Sequence, residues 1–198
     1  MDVFEAILRR RSIRQFEPRP VERKILEKIV EAGRLAPSAA NLQPLEFLVV
    51  EAEDVRAAIF PLTKWAAYIS PEGNPKPGRE PQAYVFILVN TGVRDQGYEF
   101  DVGAAMENMA LAAQGEGLAS CWLISFDKPK AAEVLGVPST HNIASVLALG
   151  YPAETSSVEA YRDSPRYWKD EAGGFHVPKR RLADILHFNA FKTSSSGR

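Results

Sequence analysis

Three guanidiniums and a hydroxyl fall within five residues at Arg10-Arg11-Ser12-Ile13-Arg14. Arginine forks match phosphate oxygens, and a phosphate carries roughly −1.5 to −2 charges near neutral pH. The chemistry on offer is therefore capture of a phosphate-bearing ligand. The bland alternative is a solvated helix face, the ordinary fate of a basic run. A second segment, Ala36-Pro37-Ser38-Ala39-Ala40-Asn41-Leu42-Gln43-Pro44, follows after a gap. Its small side chains allow a close approach of backbone to a neighbouring group. Pro, Ser and Asn are also common turn residues, so Asn41 and Gln43 alone would read as satisfying a turn.

Other chemistry is thinly represented. His141, His176 and His187 are scattered among loops and the tail, with no acid or nucleophile at useful spacing, and read as ordinary surface residues. The single cysteine, Cys121, excludes an internal disulfide framework, and no spaced Cys/His set is present to build a zinc site. Lys64, Trp65 and Tyr68 either border a substrate pocket or form a helix packing face; their spacing fits both.

Composition narrows the class. With 198 residues and 45% hydrophobic content, the chain is long enough for one domain with a sizeable core. Its 24 basic and 25 acidic residues leave a net charge of −1, so bulk electrostatics points to neither nucleic acid nor an anionic membrane. The basic cluster must act locally. No basic-then-apolar leader and no apolar run of about 18 residues is visible, so the expectation is a cytoplasmic protein without a membrane span.

The elements that must position these residues follow from periodicity. Asp2 as N-cap with Glu5 three residues on, and Val3, Phe4, Ile7 and Leu8 on one face, predict an opening helix that delivers Arg9 to Arg14. Val21, Ile25, Leu26, Ile29 and Val30 predict a second helix, ending near Gly33 and stopped by Pro37, which leaves Ser38 to Pro44 as loop. Strands are expected over Phe47 to Val50, Tyr84 to Val89, Leu118 to Ile124 and Ile143 to Leu149. A short helix capped by Asp127, with Pro129 near its start, separates the last two. The Pro- and Gly-rich stretch from Pro71 to Pro81 cannot be regular structure. Asp101 to Gln114, rich in Ala and Met, predicts a helix buried on nearly all sides, suggestive of a dimer core. Thr155 to Val177 reads as polar and irregular, Lys179 to Leu186 as one more turn or helix, and Thr193 to Arg198 as a Ser-rich tail.

The arginine cluster together with the Pro37 to Pro44 loop resembles the entrance signature of the FMN-dependent nitroreductase family. The resemblance implies an α+β fold, with a mixed, mainly antiparallel sheet flanked by helices, in an intertwined homodimer. One FMN-binding domain would span residues 1–191, followed by a flexible tail at 192–198. It also implies that Arg10, Arg11 and Ser12 hold the ribityl phosphate, joined by Lys179 and Arg181, while Arg14 reaches the pyrimidine edge of the ring. Pro37, Ser38, Ala39 and Asn41 would wall the flavin of the other subunit. Leu123, Ile124 and Ser125, after Trp122, align with the family segment whose backbone amides face the ring; some members carry a glutamate where this chain has Ile124. Leu45 stands where an aromatic residue often follows the Gln-Pro pair. Gly150 and Tyr151 resemble a Gly-Tyr-Pro strand end and a place beside the flavin is open to them.

The activity implied is that of an oxidoreductase in which NAD(P)H reduces the flavin and a small electrophilic acceptor, such as a nitroaromatic or quinone, then takes the electrons. The flavin would carry the chemistry, consistent with the lack of a nucleophile or acid/base pair. Alternatives are a flavin enzyme dedicated to another metabolite (dehydrogenase, dehalogenase or oxidase) and a low-turnover flavin-storage protein.

Overall fold

In the computed structural model, residues 1–191 are described; the Ser-rich stretch read as a tail lies outside them. Helix α1 (Val3–Arg9) opens the chain, and the Asp2 carboxylate accepts the Glu5 amide at 2.8 Å as the sequence predicts. Helix α2 (Arg23–Arg34) follows and buries Leu26, Ile29 and Gly33. Strand β1 (Leu45–Val50), helix α3 (Glu53–Ile59), strand β2 (Ala83–Asn90), helix α4 (Glu99–Gly115) and strand β3 (Ala119–Leu123) come next. Helix α5 (Lys128–Leu135) is capped by Asp127, carries Pro129 in its first turn, and ends at Gly136 with φ 65°. Strand β4 (His141–Gly150) completes the main sheet.

That sheet has the order β1-β2-β4-β3, every neighbouring pair antiparallel. Alternation along the two central strands sends side chains into two cores. Tyr84, Phe86 and Leu88 of β2 meet Val146 and Ala148 of β4 on one face, together with Phe16, Ile59, Trp65 and Phe175. Val85, Ile87 and Val89 meet Leu147 and Leu149 on the other, beneath α2 and α4. The fold is α+β, as expected.

Two close approaches explain two glycines. A Cβ on Gly33 would lie 2.8 Å from Met109 Cγ, so its absence lets α2 press on α4. A Cβ on Gly150 would lie 2.8 Å from Phe16 Cδ1. Packing on Phe16 is thus enough to require glycine at the end of β4, and Tyr151 sits under the Arg19 guanidinium at 3.8 Å.

One register irregularity stands in the sheet centre. Ile87 pairs with Ser145 but Leu88 pairs with Ile143, so Ala144 is an extra residue on β4, a β-bulge. The Ala144 carbonyl accepts Lys128 Nζ at 3.0 Å. Beyond the bulge the parity of β4 inverts, and Ile143 joins Val146 and Ala148 in one core.

The structure departs from the sequence reading after residue 155. The stretch expected to be irregular contains a second sheet of strands β5 (Ser156–Ala160), β6 (Trp168–Lys169) and β7 (Phe175–Lys179), in the order β5-β7-β6. Its strands are short and partly exposed, so no apolar alternation marks them, and Pro178 within β7 reads as a strand breaker. Likewise Trp65 and Tyr68 do not share a packing helix. Trp65 is buried in an irregular connection and donates to Thr63 Oγ1 at 2.8 Å, whereas Tyr68 stands half-exposed against Tyr167. Residues 71–81 form no strand or helix, as their composition predicts.

Candidate functional site

After α1 the chain runs as a strap along the outer edge of β3. Ser12 bridges Ser120 in parallel, and the Ile13 amide donates to the Ser120 carbonyl at 3.0 Å. The Phe16 amide donates to Arg79, the Glu17 amide to Tyr151, and the Ala153 amide to Gln15. The Arg14 amide instead meets a side chain, Glu154 Oε1, at 2.5 Å. An edge strand offers unpaired backbone groups, and the strap takes some of them.

This anchoring brings Arg10, Arg11, Ser12 and Arg14 around a cavity of about 180 Å³, closed by Tyr167, Val177 and Lys179. Val177 and Lys179 share a face of β7 with Phe175, and that face forms the wall. The Arg14 guanidinium lies 4.7 Å from the Phe175 ring centroid and 5.3 Å from that of Tyr167. Arg11 donates to the carbonyls of Leu8 and Arg10. Its partial burial, then the neighbouring Arg10 charge, push the Arg11 guanidinium below its ordinary pKa.

The cations here outnumber their partners. Glu107 Oε1 lies 3.2 Å from Arg10 Nε but off the line of its N–H, so Arg10 Nε, like Arg14 Nε, is buried without a hydrogen-bond acceptor. Buried donors left without acceptors are costly, and converging cations repel one another. An anion with several acceptor oxygens would relieve both. The cavity fits a phosphate group on these grounds.

A second cavity of about 390 Å³ shares Arg10 and Ser12 with the first. Ser120 and Trp122 of β3 project into it and Ile124 continues their row; Met106 and Ala110 of α4 and Leu147 of β4 add apolar wall, and Glu107 lines it beside Arg10. Cys121 and Leu123 alternate with these and point into the opposite core. Trp122 is 42% exposed and Ile124 69% exposed. Ser125 is absent from the lining; its carbonyl accepts the Lys64 amide at 3.0 Å.

Two groups of expected residues stand elsewhere. Pro37 and Ser38 line a separate cavity with Gln43 and Asp101, and none of Pro37, Ser38, Ala39 and Asn41 borders the arginine cavities. Their loop is tightly held: Asp101 accepts Ser38 Oγ at 2.9 Å and the Ala39 amide at 3.1 Å, and Ala40, Asn41 and Gln43 take left-handed φ values of 52°, 55° and 53°. Non-glycine residues adopt that region only where the surroundings impose it. Arg181 also stands outside the cavity, donating to both carboxylate oxygens of Asp184 at 2.9 and 3.0 Å.

Some partners escaped the sequence reading. Asp101, Glu107, Glu154, Tyr167 and Val177 all take part in these arrangements. Asp101 is one of three acids, with Glu99 and Glu107, in a helix otherwise rich in Ala and Met, and nothing local singles it out; the same is true of Glu154. His176 is a correction: two acids do reach it. Its Nδ1 lies 2.6 Å from Glu159 and its Nε2 2.9 Å from Asp170, while the ring stacks on Trp168 at 4.1 Å. The Asp170 hydrogen bond, with that of Glu159, outweighs desolvation and holds the imidazole above its ordinary pKa. This cluster lies on the face of β7 opposite Val177 and Lys179.

Fold and cavity together define an α+β protein with a cationic cavity at the edge of its main sheet. Residues 7–151 match the Nitroreductase family, and the chain belongs to that family. It is 32% identical over 162 residues to a protein of Archaeoglobus fulgidus named for NADH dehydrogenase/NAD(P)H nitroreductase activity, covering 77% of this chain and 87% of that one. Identity to a Thermus thermophilus NADH dehydrogenase is 29% over 187 residues, covering 78% and 88%. Among solved structures, a nitroreductase with bound FMN from Bacteroides fragilis superposes with a TM-score of 0.60 at 28% identity, covering 77% of this chain and 89% of that one. An FMN-dependent nitroreductase from Clostridium difficile shares the fold, with a TM-score of 0.69 at 24% identity and coverage of 95% and 99%. The family places the chain among oxidoreductases. Among the described residues no helix is long and apolar enough to cross a membrane.

Proposed function

We propose that the protein is an FMN-dependent oxidoreductase that takes electrons from NADH or NADPH and passes them to a small electrophilic acceptor, a nitroaromatic, quinone or similar compound. The observation that carries this reading is the pair of buried arginine Nε atoms without acceptors, beside a cavity that gathers three arginines, a serine and a lysine. Relatives named for NAD(P)H-linked activity and a structural neighbour with bound FMN support the choice of ligand.

In this reading Arg10, Arg11, Ser12 and Lys179 hold the phosphate. Arg181 joins them only by leaving Asp184. Arg14, backed by Phe175 and Tyr167, presents charge toward the pyrimidine edge, where it favours the more negative redox state of the cofactor. The larger cavity, between Trp122, Ile124 and Met106, offers an apolar bed, and the backbone of Leu123, Ile124 and Ser125 supplies polar contacts that do not depend on side-chain identity. FMN supplies hydride acceptance and donation when bound; the chain supplies charge, position and exclusion of water.

The same reading makes the protein a cytoplasmic homodimer, with residues 1–191 as one FMN-binding domain. The Pro37, Ser38, Ala39 and Asn41 loop, which leaves its own arginines alone, would wall the partner's cofactor. Val3, Phe4, Ile7 and Leu8 of α1, expected to be a packing face, are all exposed in the single chain. A contiguous apolar stripe of this kind favours a partner surface.

The test is direct. Heat-released chromophore, identified by chromatography, is expected to be FMN, and anaerobic mixing with NADH or NADPH should bleach the yellow protein rapidly. FAD as the main species, or no flavin after reconstitution, overturns the reading; bound FMN that neither nucleotide bleaches leaves a storage protein.

A further inference from the structure

We propose that Glu154 is a positioning residue for Arg14, tying the strap to the β6–β7 wall and thereby setting how tightly the cavity holds its ligand. The inference rests on the reading of the cavity as an FMN site and extends it to a residue beyond the family-matched segment, which ends at residue 151.

Glu154 is the carboxylate most fully withdrawn from solvent near the strap, with a side chain 4% exposed. Its oxygens are divided between two tasks. Oε1 accepts the Arg14 amide at 2.5 Å, and Oε2 accepts Lys169 Nζ at 3.1 Å. Lys169 belongs to β6 and also lies 4.4 Å from the centroid of the Phe175 ring, the ring against which the Arg14 guanidinium rests at 4.7 Å. One carboxylate thus joins the Arg14 backbone to the element that carries the stacking surface for the Arg14 side chain.

The arrangement has an electrostatic reason. Arg14 and Lys169 place two cations against the Phe175 ring, and Lys169 is paired with the Glu154 carboxylate at 3.1 Å. Burying a carboxylate is itself unfavourable unless it is paired and hydrogen-bonded, and here both oxygens are. Moreover, the amides of Ile13 and Phe16 are held by the backbone carbonyls of Ser120 and Arg79, which tolerate side-chain change. The anchor at Arg14 depends on one side chain, and on the C-terminal sheet being in place.

The experiment is a double-mutant cycle on FMN affinity, read by flavin fluorescence with full-length apoprotein. Glu154→Ala should weaken FMN binding about tenfold or more, whereas Glu154→Gln, which keeps an acceptor for the Arg14 amide, should stay within about threefold of the parent. In an Arg14→Ala background the loss caused by Glu154→Ala should vanish, because residues that act through one another are not additive. Full additivity, or equal losses from Ala and Gln, overturns the proposal. If Glu154→Ala does not fold, Lys169→Gln, which releases the second oxygen of Glu154, takes its place in the cycle with an expected loss of about fivefold. Failure of the parent to bind FMN would instead remove the functional reading itself.

Discussion

Removing the carboxylate of Asp101 should loosen the Pro37 to Asn41 loop and destabilise the whole chain. Asp101 is buried on α4, with a side chain 4% exposed, and it accepts Ser38 Oγ at 2.9 Å and the Ala39 amide at 3.1 Å. Arg94 Nη1 lies 3.5 Å from the same carboxylate, is itself buried, and has no hydrogen-bond acceptor. Hydrogen bonds to a charged acceptor contribute about 1.5–3 kcal/mol each, and breaking a buried pair by deleting one partner costs about 3–5 kcal/mol. These terms overlap, so Asp101→Ala should cost about 3–5 kcal/mol in total rather than their sum. At about 2–4 °C per kcal/mol for a chain of this size, Tm should fall by at least about 6 °C. Asp101→Asn keeps one acceptor and should lose less. Thermal unfolding followed by circular dichroism measures the shift, and amide exchange at Ala39 should accelerate in parallel. A Tm within about 2 °C of the parent for Asp101→Ala, with Ala39 exchange unchanged, would refute the reasoning.

Further outcomes are expected at three positions. Arg10→Ala should weaken FMN binding about tenfold or more, since one charge-assisted contact contributes about 1.5–3 kcal/mol; an affinity within about twofold of the parent places the phosphate elsewhere. His176 titrates above its ordinary value in the folded chain, so the stability it confers is fully present below about pH 6.5 and is lost as pH rises through the elevated folded value. The difference in Tm between the parent and His176→Gln should therefore shrink from about pH 6.5 upward, and a constant difference would contradict the ion cluster. Tyr84 is fully buried with a hydroxyl that has no acceptor, so Tyr84→Phe should leave urea-measured stability equal or raised; a loss above about 1 kcal/mol would show that the hydroxyl is satisfied.

What could be read from sequence was what local chemistry determines. Asp2 with Glu5, Asp127 with Pro129, and the apolar run of β2 specify their elements through neighbours a few residues away, and each forms where the pattern places it. The arginine strap was legible for the same reason, as three cations within five residues. The β5–β7 sheet was not, because its short, partly exposed strands bury only one large apolar side chain, Phe175. Nor was Glu154, whose contact with Arg14 spans 140 residues of sequence. His176 illustrates the same limit: its two carboxylates converge only once β5, β6 and β7 have paired.

The extra residue at Ala144 makes the N-terminal end of β4 behave as a phase shift. Any relative that lacks it must be aligned with a one-residue gap inside a strand, and an alignment that refuses the gap assigns every β4 position before Ser145 to the wrong side of the sheet. The same holds for hybrids. A hybrid that takes β4 from a bulge-free relative starting upstream of Ala144 would lack the extra residue, and Lys128 would lose the bulged Ala144 carbonyl. Crossovers between family members should therefore be placed at Ser145 or later, where Ile87 and Ser145 already face one another in register.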